Sequence, residues 1–191
     1  IEPLYMPDRA LEPFWDFAYR FQSLQRHWEL NKDFLESHSA LIDQVEFDGS
    51  AEMEDIFDET VGVDKDYFPE YLRLSTLSIS LSLIENLLGD LSEHIAEESG
   101  VPIKLDERPM PFINKHILWL TRGCGLEFEM PTEVNKRLEA MRELRNRFLH
   151  RIGRDIPEEI QKVIGEMVSS ATDAEANVTN DFIETAMSEL A

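Results

Sequence analysis

The sequence predicts an all-α protein, a bundle of long antiparallel helices, in a single domain of 191 residues. Apolar residues recur at intervals close to three and four along most of the chain, which is the period of one helix face. No stretch shows the apolar–polar alternation that a half-buried strand would require. Apolar side chains make up 42% of the residues, which is enough for a packed core, so the chain is not of the disordered class.

The N-terminal part predicts one long helix, or two in tandem, from Leu11 to about Val45, with Pro13 in the first turn. The segment Glu46–Glu70 follows, with ten acidic residues and a single lysine. Like charges at this density disfavour a compact element, so we interpret it as a solvated connector with one short helix around residues 53–57. Residues 1–65 therefore form a helical extension that includes an acidic connector.

Four further helices are expected before the tail, residues 169–191, which is helical in composition but weakly patterned. The first of them is apolar on most of its circumference, which indicates a core helix, and it is expected to end at Gly100. The last opens with an N-cap and a capping box. The expected limits are Tyr67–Ser99, Phe112–Thr121, Thr132 to about Ile152, and Asp155 through Met167 and onward.

The charge distribution has one exception to a strongly acidic average. The chain carries 18 basic and 39 acidic residues, a net charge of −21, and a field of that sign repels nucleic acid and acidic membranes. Within residues 136–154, however, seven basic residues face two acidic ones. This stretch indicates either a phosphate-facing surface or a helix whose cations pair with acids elsewhere. Its basic residues are Lys136, Arg137, Arg142, Arg145, Arg147, Arg151 and Arg154.

Cysteine and histidine usage gives little support for a metal or thiol site. A single cysteine, Cys124, cannot form an internal disulfide, so we expect a reducing compartment, the cytoplasm. The histidines outside the basic stretch lack the spacing of metal ligands, and we expect no metal and no cofactor. No apolar run approaches the roughly 20 residues of a membrane span, so no membrane association is expected.

Arg145 is predicted to lie at the centre of the apolar stripe of its helix. At about 100° per residue, six apolar residues between 134 and 152 fall within about 60° of it. A guanidinium is costly to bury unpaired, so it should meet a carboxylate or point along a cleft. Glu85 interrupts the apolar core helix, and we hypothesise that Glu85, with Asn86, binds Arg145. The alternative is that Glu85 sits at an exposed edge of the bundle.

Asn146 and His150 share the flank of the same stripe, about 100° and 140° from Arg145. One helix border thus offers a fixed cation, an amide and an imidazole. His150 titrates near neutrality and is the side chain there that is suited to moving protons.

The sequence Arg145-Asn146-Arg147-Phe148-Leu149-His150 resembles the signature of the HEPN superfamily, in which an arginine and a polar residue precede a histidine on a late helix. The resemblance covers residues 67–167, which would form the HEPN-like core. It implies a metal-independent endoribonuclease that acts as a homodimer, with the two motifs lining one cleft.

In that family-based interpretation, His150 would be the general acid or base at the RNA 2′-hydroxyl and Arg145 would stabilise the transition-state charge. Asn146 would orient a phosphate oxygen, while Arg142, Arg147, Arg151 and Arg154 would position the RNA backbone. The family context implies a toxin–antitoxin or phage-defence system, in which an antitoxin would be the protein partner. The alternative is a catalytically silent HEPN-like module that binds a protein or nucleotide partner.

Overall fold

The computed structural model describes residues 12–44, 61, 63, 67–127, 130–151, 156–167 and 179–191, apart from the side chains of residues 148–151. Over these ranges the protein is helical and contains no strand, which confirms the all-α class. The elements in chain order are α1 (Glu12–Ile42), α2 (Phe68–Ser99), α3 (Phe112–Leu118), a π-helical turn (Trp119–Gly123), α4 (Thr132–Arg151), α5 (Glu158–Met167) and α6 (Asn180–Leu190). The predicted short helix near residue 55 and the predicted N-cap at Asp155 lie outside the described residues.

Helix α1 is one continuous helix of 31 residues, so the single-helix alternative is the correct one. Its buried residues Phe21, Leu24, Trp28, Leu35 and Ile42 are spaced by three, four and seven positions. That spacing places them on one face. This face packs along α2.

Helix α2 is the central helix of the described bundle, since α1, α3, α4 and α6 all pack against it. It begins within one residue of the predicted limit and ends at Ser99, as predicted. Gly100 adopts a left-handed conformation with φ of 68°, and its N–H donates to the Ala96 carbonyl at 2.9 Å. A glycine is favoured there because a Cβ would strain a positive φ.

One hydrophobic core joins helices from both ends of the chain. Its buried members come from α1, α2, α4, α5 and α6, so the packing continues beyond residues 67–167 on both sides. Leu81 of α2 and Phe182 of α6 are fully buried at its centre. The described helices therefore depend on one another for burial.

Helix α6 corrects the expectation that the tail is weakly patterned. Its buried residues follow an i, i+1, i+4, i+5, i+8 stripe, which is a regular amphipathic pattern. The Thr179 hydroxyl caps the helix by accepting the Phe182 N–H at 3.2 Å. The pattern is easily overlooked because three acidic residues lie among the apolar ones. The stripe comprises Phe182, Ile183, Ala186, Met187 and Leu190.

The segment around residue 120 ends differently from the predicted helix Phe112–Thr121. Regular α-helix stops at Leu118 and continues as a π-helical turn from Trp119 to Gly123. The loop of residues 101–111 precedes this segment and packs beside it through a Trp119–Pro102 hydrogen bond. Across the described ranges, no helix combines the length and apolarity needed to cross a bilayer.

Candidate functional site

The packing of α4 against α2 brings Arg145 and Glu85 together. Arg145 Nη1 lies 3.2 Å from Glu85 Oε1 and 3.1 Å from Oε2. The two side chains are 15% and 22% exposed, so the pair is largely shielded at the border of the core. The predicted pairing is confirmed, and the alternative of an unpaired Glu85 at an exposed edge is not.

The buried side chains that are described on α4 do not centre on Arg145. They are Ala140, Met141 and Leu144, and their mean direction lies roughly 90° around the helix from Arg145. Val134, which the prediction counted as part of the apolar stripe, is 41% exposed. Three other members of that stripe, Phe148, Leu149 and Ile152, lie outside the described side chains, so the central position of Arg145 stays a prediction.

Asn86 is placed apart from Arg145. It is exposed and lines a small polar pocket with Asp16, Arg20 and Asp90, on the side of α2 that faces α1. Among the described residues, no hydrogen bond joins it to Arg145. One residue along a helix turns the side chain by about 100°, so neighbours such as Glu85 and Asn86 face different partners.

The motif residues after Arg145 are described unequally. Asn146 is half-buried on α4, directly after the ion-paired arginine. His150 lies in the last turn of α4, and its side chain is outside the described set. The side chain of Arg151 and the whole of Arg154 also lie outside it. Their predicted roles stay predictions.

Several cations of the basic stretch are paired with carboxylates rather than left for a ligand. Lys136 binds Glu133 at 2.9 Å and Arg147 binds Glu143 at 3.0 Å. Arg137 of α4 binds Glu189 of α6. For these three residues, the observed contacts are therefore those of a helix whose cations pair with acids, and not those of a phosphate-facing surface.

Arg142 differs from its neighbours, because no ion pair involves it in the described part of the chain. Its Nε is buried and has no hydrogen-bond partner. A buried, unused guanidinium donor is costly, and such a group is often satisfied by a bound anion or water. Arg142 lies three positions, or nearly one turn, before Arg145, so it is on the same side of α4.

A large apolar groove lies beside this site and could not be predicted from the sequence. Its volume is about 880 Å³, and its walls come from α1, α2, α3, α4 and the end of α6. Trp15 on its rim is 71% exposed, whereas the other two tryptophans, Trp28 and Trp119, are buried. Trp15 is hard to assign from sequence because the groove is formed by non-adjacent helices.

The buried pair of Ser92 and His116 is structural. Ser92 Oγ lies 2.7 Å from His116 Nδ1 and donates to the Leu88 carbonyl at 2.7 Å, which leaves it to accept the imidazole N–H. Both side chains are buried, and His116 Nε2 has no partner. Burial lowers the pKa of His116, since the charged form would lose its hydration. Ser92 is too enclosed to reach a substrate.

Neither a metal site nor a reactive thiol emerges from the described residues. Within these ranges no three histidine, cysteine or acidic side chains are grouped so as to hold a metal ion. Burial raises the pKa of the Cys124 thiol, which disfavours the nucleophilic thiolate. The best-defined polar cluster beside the core is the one around Arg145.

Fold and site together define the class of the protein as all-helical, with an ion-paired arginine at the border of its core. Comparison of the chain with protein-family models, curated proteins and solved structures finds no match.

Proposed function

We propose that this protein is a metal-independent endoribonuclease of HEPN type, with Arg145, Asn146 and His150 at its catalytic site. The observation that carries the proposal is the hydrogen bonding of the Arg145 guanidinium. Both carboxylate oxygens of Glu85 contact its Nη1, and no hydrogen bond to Nε or Nη2 occurs among the described residues. A guanidinium anchored through one nitrogen keeps its other donors for a phosphate oxygen, for which their planar geometry is suited.

Arg142 supports the same proposal. It forms no hydrogen bond or ion pair within the described residues, and it lies on the side of α4 that carries Arg145. Two guanidinium groups with unused donors, one turn apart, form a local positive site in an acidic chain. In the proposal Arg142 binds the phosphate next to the scissile one, and Arg151 and Arg154 extend the contact along the RNA backbone.

The proposed chemistry uses the RNA's own 2′-hydroxyl as nucleophile. His150 accepts the proton of that hydroxyl while the 2′-oxygen attacks phosphorus, and the bond from phosphorus to the 5′-oxygen breaks. The 5′-oxygen leaves with a proton, which gives a 2′,3′-cyclic phosphate and a 5′-hydroxyl. Arg145 and Asn146 donate to the phosphoryl oxygens as negative charge develops on them.

A homodimer is part of the proposal because His150 lies about 140° around the helix from Arg145. A second copy related by a two-fold axis would supply the missing group at each site. The acidic surface favours a short single-stranded RNA as substrate and a basic antitoxin as protein partner, within a toxin–antitoxin or phage-defence system.

The test is cleavage of a short RNA in EDTA by the wild-type chain and by two variants, Arg145→Ala and His150→Ala. The variant Lys162→Ala is the control, since Lys162 is an exposed cation on α5. We expect each site variant to lose at least about 100-fold in rate, the contribution of general acid–base catalysis. An RNA with a 2′-deoxy sugar at the scissile position should resist cleavage. Equal cleavage by all variants, or none by the wild type, contradicts the proposal.

The apolar groove favours a second candidate, a catalytically silent module that binds a protein partner. The groove is open, and Val134 and Trp15 on its rim are exposed. An amphipathic helix is the partner that such a groove accommodates. Its test is the variant Val134→Lys, which should weaken binding of the protein encoded by the neighbouring gene without changing the melting temperature. Unchanged binding would contradict it.

A further inference from the structure

A second basic site lies away from α4, at the pocket formed by the loop 101–111, α3 and the π-helical turn. The pocket has a volume of about 410 Å³. Lys104 of the loop, Lys115 of α3 and Arg122 of the π-helical turn all line it. Three cations at one pocket are unexpected in a chain with a net charge of −21.

These three cations are available to a ligand. In the described part of the chain, none of them forms an ion pair with an acidic side chain, which is unlike most cations of α4. Lys104 and Arg122 are exposed, and Lys115 is half-buried. Their charges therefore act together on whatever enters the pocket.

The acidic residue that lines the same pocket, Asp106, already has a partner of opposite charge. Asp106 accepts hydrogen bonds of 2.9 Å from the Arg108 backbone N–H and from Arg108 Nε. These bonds, with the nearby positive charges, lower the pKa of Asp106 to about 2. Its negative charge is thus matched mainly by Arg108 and only weakly by Lys115, which leaves the pocket with a net positive charge.

The walls of the pocket are apolar and fixed in place. Val101, Leu118 and Trp119 contribute to them. The Trp119 indole N–H donates to the Pro102 carbonyl at 3.3 Å, which ties the π-helical turn to the loop. Gly123 lies against the indole so closely that a Cβ there would be 2.9 Å from Trp119 Cδ1. The pocket is therefore formed before any ligand arrives.

From these features we infer that the pocket binds a small phosphate monoester with an aromatic or apolar body, of mononucleotide size. The cations match the charge of a phosphate monoester, which is between −1.5 and −2 near pH 7. The apolar wall matches a base or another flat body, and the volume lies within the usual range of roughly 300–1,000 Å³ for ligand sites.

A small ligand is favoured over RNA because of the acidic remainder of the chain. Three cations dominate the potential inside the pocket, whereas a polyanion extending past it would also be repelled by the remainder of a chain with a net charge of −21. This inference does not depend on ribonuclease activity. Ile113, Ile117 and Leu120 of the same segment line the apolar groove instead, so the two cavities are separate.

The experiment is a calorimetric titration of the full chain with adenosine 5′-monophosphate, adenosine, inorganic phosphate and a short single-stranded RNA, at low ionic strength. The variants are Lys115→Gln and Arg122→Gln, and the matched control is the exposed cation variant Lys162→Gln. Circular dichroism and the melting temperature establish that each variant is folded.

We expect the monophosphate to bind saturably and more tightly than either adenosine or inorganic phosphate. Each pocket variant should weaken it at least about tenfold, as loss of a charge-assisted hydrogen bond does, while the control binds as the wild type. Three results would each overturn the inference: no saturable binding at millimolar monophosphate, equal affinity in Lys115→Gln and wild type, or tighter binding of the RNA through the same residues.

Discussion

Arg145 of α4 and Glu85 of α2 form an ion pair at the border of the core, although 60 positions separate them in the chain. Both side chains are mostly shielded from solvent, so neither charge is fully hydrated. The pair therefore joins α4 to α2 at the residue where the motif begins.

Removal of one member of this pair should destabilise the fold. In Glu85→Gln the half-buried guanidinium loses its counter-charge, and we expect the free energy of unfolding to fall by about 1–3 kcal/mol. Urea denaturation measures this. A double-mutant cycle with Arg145→Gln isolates the coupling between the two residues.

The control for the pair is Glu143→Gln, which removes a carboxylate from a less shielded pair within α4. It should change the stability less than Glu85→Gln does. A zero coupling energy between Glu85 and Arg145 would mean that the pair contributes no net stabilisation.

The stability of the protein should decrease as the pH falls below about 6.5, because of His116. Burial lowers the pKa of His116 in the folded state, so at acidic pH the unfolded chain binds more protons than the folded one. The stabilisation is complete above the unfolded pKa of 6.5 and is lost as the pH falls toward the folded value.

This pH dependence is measured by urea denaturation at pH 7.5 and pH 5.5 in wild type and His116→Gln. The difference in unfolding free energy between the two pH values should be smaller in His116→Gln than in wild type. It should be unchanged in His27→Gln, because His27 is exposed. The same difference in all three proteins would assign the effect to other groups.

Gly123→Ala should destabilise the protein and disturb the basic pocket. A Cβ at this position would lie 2.9 Å from Trp119 Cδ1, so the indole has to move. We expect a loss of roughly 1–3 kcal/mol, the usual cost of overpacking, and weaker binding of adenosine 5′-monophosphate.

Gly89→Ala is the matched substitution in α2, where nothing lies within 4 Å of the added Cβ. It should stabilise the helix by roughly 0.5–1 kcal/mol, because alanine is the better helix former. Both changes are measured as shifts in the urea midpoint. Equal effects of the two alanines would contradict the close contact with Trp119.

Phe182→Ala should be among the most destabilising single changes. Phe182 is fully buried in the core that α6 shares with α1 and α2. Its truncation should cost roughly 3–5 kcal/mol through lost burial and a residual cavity. Leu30→Ala, at a position that is exposed on α1, should stay within about 0.5 kcal/mol of wild type. If Phe182→Ala lowers the free energy of unfolding no more than Leu30→Ala does, α6 does not contribute to the core.

The limits of α2 and the Arg145–Glu85 pair could be predicted from the sequence because both follow from local chemistry. Apolar periodicity marks a core helix, and a glycine marks its end. An arginine beside buried residues requires a carboxylate, and Glu85 interrupts the most apolar helix. These inferences need no knowledge of which helices are neighbours.

The two cavities could not be predicted in the same way. Lys104, Lys115 and Arg122 are 11 and 7 positions apart, so no helical face relates the loop residue to the other two. Their convergence depends on how the loop folds onto the π-helical turn. The apolar groove likewise needs five helices in place. The exposure of Val134 has the same origin, since packing decides which part of an apolar stripe is covered.

The segment of residues 112–123 separates the apolar groove from the basic pocket. Trp119 lines the basic pocket, and its neighbour Leu120 lines the apolar groove. A ligand that shifts this segment from one cavity would alter the shape of the other cavity. Linkage then requires the two occupants to change each other's affinity by the same factor.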